Sequence, residues 1–371
     1  MKKGDRIGTY EVLEELASGG MAQLYLGRRV GPAGFERLVA IKVVRPYLAG
    51  QPEFVSMFLD EGRLAARIAH PNVVHIEELG EDEGRYFLVM EYVHGVALSE
   101  LLANLGRLER RLTPAAAVAI AMRVAAGLHA AHEIRGEDGR LVELVHRDVS
   151  PQNVFLASNG AVKLIDFGIA KARDRLHVTS PGTGLRGKLR YMAPEQFHEA
   201  PRIDRRTDVY ALGVVLWEML VMRRLFQGKR DDEVIREIVG GGMPSPGSLA
   251  PVPPALDAVV MAALAKDQDA RPTTARELRL RLREALPEAL AIDDVELAAM
   301  LWAVCSDVLN GRGQSDERHS GPGMNTLELA ELPVKALESL TRPLDAAEEA
   351  VRPAFAQVLP SSVPPPEALQ A

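Results

Sequence analysis

Apolar residues recur at two different periods along the chain, and the change of period divides it. Up to residue 92 the apolar runs have strand length: Tyr10 and Val12 with Leu13 and Leu16, then Leu24–Leu26, Leu38–Val44 and Phe87–Tyr92. Gly31-Pro32-Ala33-Gly34 is a turn-forming cluster that suits a long hairpin connection. One segment here follows the helical period instead: Glu53–Ala69 sets Phe54, Met57/Phe58, Leu64/Ala65 and Ile68 on one face. Gly95 begins a crossing, and from 98 to 284 the spacing is helical. Thr113-Pro114 is an N-cap and first-turn pair for a helix running toward His132. Asp208–Leu220 is apolar on all sides, as a helix at the centre of a domain is. Pro272–Leu286 predicts an amphipathic, Arg-rich final helix.

Pro287 opens a different region. Leu297, Leu301, Val304, Cys305 and Val308 form a helical stripe within Ile292–Leu309, after Asp293 and Asp294. This 287–310 extension either packs on the preceding domain or serves as a docking or dimerising helix. Residues 311–371, with Gly311–Gly323 and Ser361-Ser362-Val363-Pro364-Pro365-Pro366, predict an acidic linker and a disordered tail. No internal repeat is visible.

The 371 residues are 47% apolar and 26% charged, enough for a large core. The net charge of −7 is uneven: fourteen Asp/Glu against five Lys/Arg in 287–371 leave the earlier residues at +2. A near-neutral domain with an acidic tail carries no electrostatic footprint for nucleic acid. No start-of-chain signal and no uninterrupted apolar run of membrane-span length is present. A single cysteine, Cys305, suits a reducing cytoplasm and reads as packing.

The chemistry lies in short polar runs. Leu16, Ala17, Ser18, Gly19, Gly20, Met21, Ala22, Gln23 and Leu24 join the first two strands, where backbone N–H groups can cradle phosphates or simply close a hairpin. A left-handed Ala17 would cost about 1–2 kcal/mol. Lys42 lies in an apolar strand between Ile41 and Val43; it either snorkels at an edge or meets a carboxylate. Glu61 falls in the apolar face of Glu53–Ala69, and an inward carboxylate needs a cation, so Lys42 is its expected partner.

Val39-Ala40-Ile41-Lys42, His146-Arg147-Asp148-Val149-Ser150-Pro151-Gln152-Asn153 and Asp166-Phe167-Gly168, in this order, resemble the bacterial Hanks-type (eukaryotic-like) serine/threonine protein kinases over residues 8–284. The resemblance implies an α+β bilobal fold: a β-rich N-lobe with one main helix (8–92) and a mostly helical C-lobe (96–284). It implies ATP and Mg²⁺, with Mn²⁺ as a substitute, and protein substrates bearing Ser or Thr. Asp148 would take the acceptor proton; Asn153 and Asp166 would bind the metal. Ala40, the Glu91 carbonyl and the Val93 N–H would meet the adenine, with Met90 as gatekeeper. Arg147 would answer phosphorylation of the activation segment, with acceptors within Val178-Thr179-Ser180-Pro181-Gly182-Thr183. Ala193-Pro194-Glu195 would pair with Arg271, and Asp208 would brace the catalytic loop. Many members of this family carry a membrane anchor after the kinase domain; no such run follows here.

The chain departs from the family pattern in three places. Only the middle glycine of G-x-G-x-x-G is kept, as Gly19, with Ala17 and Ala22 in the outer positions. Ser150 replaces the lysine two residues after the catalytic aspartate, and Lys188 replaces a threonine in Gly187-Lys188-Leu189-Arg190-Tyr191. A reciprocal exchange, in which Lys188 reaches Asp148 and restores the lost ammonium, would keep the site competent. A Lys188 that points to solvent would leave a weak kinase or an ATP-binding pseudokinase scaffold.

Overall fold

The computed structural model describes residues 1–167, 187–198, 201–313 and 332–344. The N-terminal lobe contains β1 (Arg6–Ile7), β2 (Tyr10–Ser18), β3 (Ala22–Val30), β4 (Glu36–Val44), α1 (Pro46–Ala49), α2 (Pro52–Ala65), β5 (Ile76–Asp82) and β6 (Arg85–Glu91). The strands form one antiparallel sheet in the order β1-β2-β3-β4-β6-β5. The register of β3 on β4 runs unbroken from Ala22↔Val44 to Val30↔Glu36. Alternation then sorts the side chains: Tyr25, Val39, Ile41, Val43, Phe87 and Val89 close one face with Ile7, Tyr10 and Val12. Val44 and Leu88 cover Phe54 and Phe58 of α2 in a second cluster. The sequence pattern did not reveal β5, whose Glu77, Glu78, Glu81 and Asp82 give an edge strand a polar signature.

The C-terminal lobe follows with β7 (Gly95–Ala97), α3 (Leu98–Arg107), β8 (Arg110–Leu112), α4 (Pro114–His132), β9 (Val154–Ala157), β10 (Val162–Leu164), α5 (Arg206–Val221), α6 (Asp231–Gly240), α7 (Pro254–Ala263) and α8 (Ala275–Ala285). Thr113 caps α4, its hydroxyl accepting from the Ala116 N–H at 3.3 Å. Every residue from Thr207 to Val221 in α5 is buried, as its all-round apolar pattern requires. Among the described residues, α4 alone is long and apolar enough to cross a membrane; most of it is buried in the lobe, against α5 and α8.

Past the domain, α9 (Asp294–Gly313) buries Leu297, Met300, Leu301, Val304, Cys305 and Leu309 in the same core as α4 and α5. Its apolar stripe is covered by the chain's own lobe. Cys305 departs from helical geometry (φ −128°, ψ 21°), so the helix is bent there.

Within 311–371, expected to be a linker and disordered tail, residues 311–313 and 332–344 are ordered; the remainder lies outside the described residues. Residues Leu332–Leu340 form α10, and β11 (Thr341–Pro343) pairs antiparallel with β8, Thr341 opposite Leu112. The Thr113 N–H donates to the Leu340 carbonyl at 2.8 Å and the Leu344 N–H to that of Glu109 at 2.8 Å. Arg110 donates to Thr341 Oγ1 at 2.6 Å and to the Leu337 carbonyl at 3.0 Å. Two three-residue strands from distant parts of the chain are too short for any period to announce.

Candidate active site

The cleft is lined from above by the β2–β3 connection and β4. Ala17 pairs with Leu24 and Ser18 with Gln23, so both belong to the ladder and only Gly19, Gly20 and Met21 turn. Ala17 has no positive φ, and the cost of a left-handed alanine does not arise. Arg45, just after β4, donates to Ser18 Oγ at 2.6 Å and to the Gly19 carbonyl at 3.1 Å. The Tyr47 hydroxyl donates to the Gly20 carbonyl. Met21 packs against the Phe54–Phe58 cluster, while Leu16, Ala22, Gln23 and Leu24 are half-buried on the strands.

Lys42 sits in β4 opposite Leu24 and Leu88, and its ammonium donates to Asp166 Oδ1. Glu61, half-buried, is carried by α2 of the same lobe. Ala40 is buried opposite Leu26 and Met90. At the crossing, Glu91 ends β6 with its carboxylate on the His75 N–H at 2.8 Å and Lys163 Nζ at 2.7 Å; Val93 follows, half-buried.

Below, the loop carrying Asp148 is held by buried bonds. Asp208, at the start of α5, accepts the His146 N–H and the Arg147 N–H, each at 2.8 Å, and bonds His132 Nε2 at 2.8 Å. Burial alone would raise its carboxyl. The bond from His132, the electrostatic influence of the neighbouring His132 and His146 rings and the bond from the His146 N–H outweigh that and hold it below its ordinary value. The Asp148 N–H donates to His146 Nδ1 at 3.2 Å, so Nε2 carries the proton and donates to the Ile165 carbonyl at 3.1 Å. Burial pushes the His146 pKa down, which agrees with this neutral ring. Phe167 packs against it at 4.5 Å between centroids, the two rings tilted by 48°. Arg147 (φ 62°) and Asp166 (φ 59°) are both left-handed, a conformation costing about 1–2 kcal/mol for a residue with a Cβ. Such outliers persist where the surroundings fix them; Arg147 directly precedes Asp148, and Asp166 takes the Lys42 ammonium.

Asp148 is 5% exposed. Asn153 Nδ2 donates to its carbonyl at 2.7 Å and to its Oδ2 at 3.0 Å. Lys188 Nζ donates to the same Oδ2 at 2.6 Å. Lys188 is positioned by its neighbours. Arg190 donates to the Phe226 and Gly228 carbonyls at 3.0 and 2.7 Å, and the Tyr191 hydroxyl to Glu218 Oε2 at 2.8 Å. Ser150 is fully buried and its Oγ has no partner among the described residues. Glu195 and Arg271 form a two-pronged buried pair at 2.8 and 2.9 Å, with Thr207 Oγ1 donating to Glu195 at 2.8 Å.

The donor set suits a hard cation. With the Asn153 nitrogen turned to Asp148, its amide oxygen and the Asp166 carboxylate are both oxygen donors of the kind magnesium takes. Among the described residues no cluster of three or more His, Cys, Asp or Glu could hold a metal alone. Two protein ligands completed by phosphate oxygens are what a nucleotide-borne magnesium uses.

Sequence reasoning missed three parts of this surround. The buried pair (3.0 Å) of Glu218, within the mostly apolar α5, and Arg224, just beyond it, lies under Tyr191, and burial raises both the Glu218 carboxyl and the Tyr191 hydroxyl. His132 had no motif around it. The Arg45 clasp could have been suspected from a basic residue placed directly after the Lys42 strand. Gly168 and the hydroxyls of residues 178–183 lie outside the described residues.

A bilobal fold with these groups facing one cleft is that of a protein kinase. The protein kinase domain model matches residues 10–281, and the chain belongs to that family. It is 44% identical over 268 residues to the tyrosine-protein kinase MasK of Myxococcus xanthus, covering 72% of this chain and 41% of MasK. To the serine/threonine-protein kinase PrkC of Bacillus subtilis it is 33% identical, covering 76% and 41%. To PknD of Mycobacterium tuberculosis it is 34% identical, covering 76% and 40%. In each case the match spans under half of the relative's length. The crystal structure of the Mycobacterium tuberculosis PknI kinase domain superposes with a TM-score of 0.58 at 28% identity, covering 77% of this chain and 99% of that one.

Proposed function

We propose that this cleft transfers the γ-phosphoryl of ATP to serine or threonine hydroxyls of proteins, the chain itself included. What supports the reading is a pair of contacts, Lys42 on Asp166 and Asn153 and Lys188 on Asp148, with Lys188 Nζ 2.6 Å from Asp148 Oδ2; the Ile165 N–H, donating to the Asn153 carbonyl at 2.9 Å, ties the segment before Asp166 to the Asp148 loop. Asp148 accepts the proton of the acceptor hydroxyl as its oxygen bonds to phosphorus and the bond to the leaving diphosphate oxygen breaks. Lys188 supplies the ammonium that Ser150 lacks and faces the charge that spreads over the moving phosphoryl group. Lys42 steadies the phosphates, with Glu61 of α2 as its expected carboxylate partner in the same lobe. The connection from Leu16 to Leu24 covers the phosphates, and Ala40, Glu91 and Val93 frame the adenine. Magnesium held by Asn153 and Asp166 would neutralise phosphate charge. The cytoplasm, where ATP is available, is the setting we assign to the chain.

A second reading, tyrosine as acceptor, is favoured by one observation: the relative at 44% identity is named a tyrosine-protein kinase. Incubation with ATP and Mg²⁺, alone and with a generic basic protein, followed by phosphosite mapping, separates the two. Phosphoserine or phosphothreonine, absent from Asp148→Asn, is the expected result. Label confined to tyrosine establishes the second reading, and no label at all on the wild-type chain overturns both.

A further inference from the structure

Helix α9 lies beyond residues 10–281, and its last turns end against the residues that follow Val93. The Leu309 carbonyl bonds His94 Nε2 at 3.1 Å, and Ser158 Oγ bonds His94 Nδ1 at 3.1 Å. A carbonyl only accepts, so Nε2 carries the proton and Nδ1 accepts from the serine. Arg312 donates to the Gly95 carbonyl at 2.6 Å and to Glu100 Oε1 at 2.8 Å. The other oxygen of Glu100 accepts the Ala97 N–H at 3.0 Å. From the opposite side the Ser158 N–H donates to the His94 carbonyl at 2.7 Å, while Trp302 of α9 holds the Ser158 carbonyl at 3.1 Å.

The crossing has no slack on its sheet side. A Cβ on Gly95 would lie 2.2 Å from the Leu156 carbonyl oxygen, so no side chain fits at this position against β9. At the bend, Cys305 is buried and accepts from Asn104 Nδ2 of α3 at 3.3 Å; beyond it come Leu309 and Arg312. Residues 94–97 are thus gripped by β9 on one side and by the extension on the other.

We propose that the end of α9 is a brace on the crossing between the lobes and sets nucleotide affinity, with Arg312 and His94 as positioning residues. This rests on the reading of Glu91 and Val93 as the adenine contacts. A bond alters affinity only by its difference between the states in equilibrium. Hinge excursions that carry Gly95 away break a charge-assisted bond, and those that keep it preserve the frame around the adenine. By linkage, bound nucleotide stabilises the brace by the same factor.

The test uses the full chain and a fluorescent ATP analogue with Mg²⁺. Arg312→Ala weakens binding roughly three- to tenfold, while the KM for a generic basic protein acceptor stays put. Arg312→Lys, keeping a cationic donor, recovers part of the loss. His94→Phe, which retains a ring and loses both polar contacts, acts in the same direction and serves if Arg312→Ala does not fold. Nucleotide also slows hydrogen exchange at residues 309–312 of the wild type. A lowered melting temperature with unchanged nucleotide affinity in the folded variants makes the contacts merely structural and overturns the brace. Failure of the wild-type chain to bind nucleotide overturns the site reading beneath it.

Discussion

In the C-lobe, Asp148, Asn153, His146 and Asp208 are buried, and each is bonded to another of the four or to backbone that carries it. Across the cleft, Ser18, Gly19 and Gly20 are exposed, held by a half-buried Arg45 and an exposed Tyr47. The first arrangement fixes charge before substrate arrives, because moving any one group leaves another buried without its partner. The second can open and close, because water replaces each bond at little cost. On the proposed reading, the contrast separates what has to be rigid for proton transfer from what has to yield for nucleotide to enter and leave.

The largest effect tests the rigid side. Asp148→Asn should lower kcat about 10²–10⁴-fold with nucleotide affinity preserved; a variant that keeps its rate places the base elsewhere. Arg271→Ala leaves Glu195 buried and uncompensated, and denaturant unfolding should show a loss of about 3–5 kcal/mol. Lys188→Ala should lower kcat on the order of 10²–10³-fold, and Ser150→Lys with Lys188→Thr should return most of it. Equal rates for Lys188→Ala and wild type would end the exchange idea.

Acid should unfold the rigid side first. His146 is neutral in the fold with its pKa held below 6.5, so the unfolded chain binds the extra proton and stability falls as pH drops below 6.5. Asp208, held below 3.8, adds stability that is complete above 3.8 and is lost as pH falls through its folded value. Melting temperature against pH should therefore decline in two steps, and Asp208→Asn should flatten the lower one. The smallest effect belongs to the yielding side: Arg45→Ala should change the KM for ATP only about two- to fivefold, with kcat nearly kept. A loss as large as that of Asp148→Asn would show that the loop is no less rigid than the base.

Where neighbours in sequence are also neighbours in space, reading the residues was enough. Asp148 and Asn153 lie five positions apart in one loop, so a short span of chain keeps them near each other wherever that loop goes. Asp208–Leu220 announced its burial because an all-round apolar helix has only one place to be. Glu195 and Arg271, 76 residues apart, were legible only through the family resemblance, and the structure joins them.

What no pattern along the chain could decide is which distant polar groups meet. Lys188 joins Asp148 across 40 residues, Lys42 lies on Asp166 across 124, and Arg312 holds Gly95 across 217. The tail that looked featureless supplies a helix and a strand, because β11 finds its hydrogen-bonding partner in β8, some 230 residues away. Periodicity records how a segment meets water and core, which is local. An ion pair or a strand pairing records where two segments end after the whole chain has packed, and only the tertiary structure carries that.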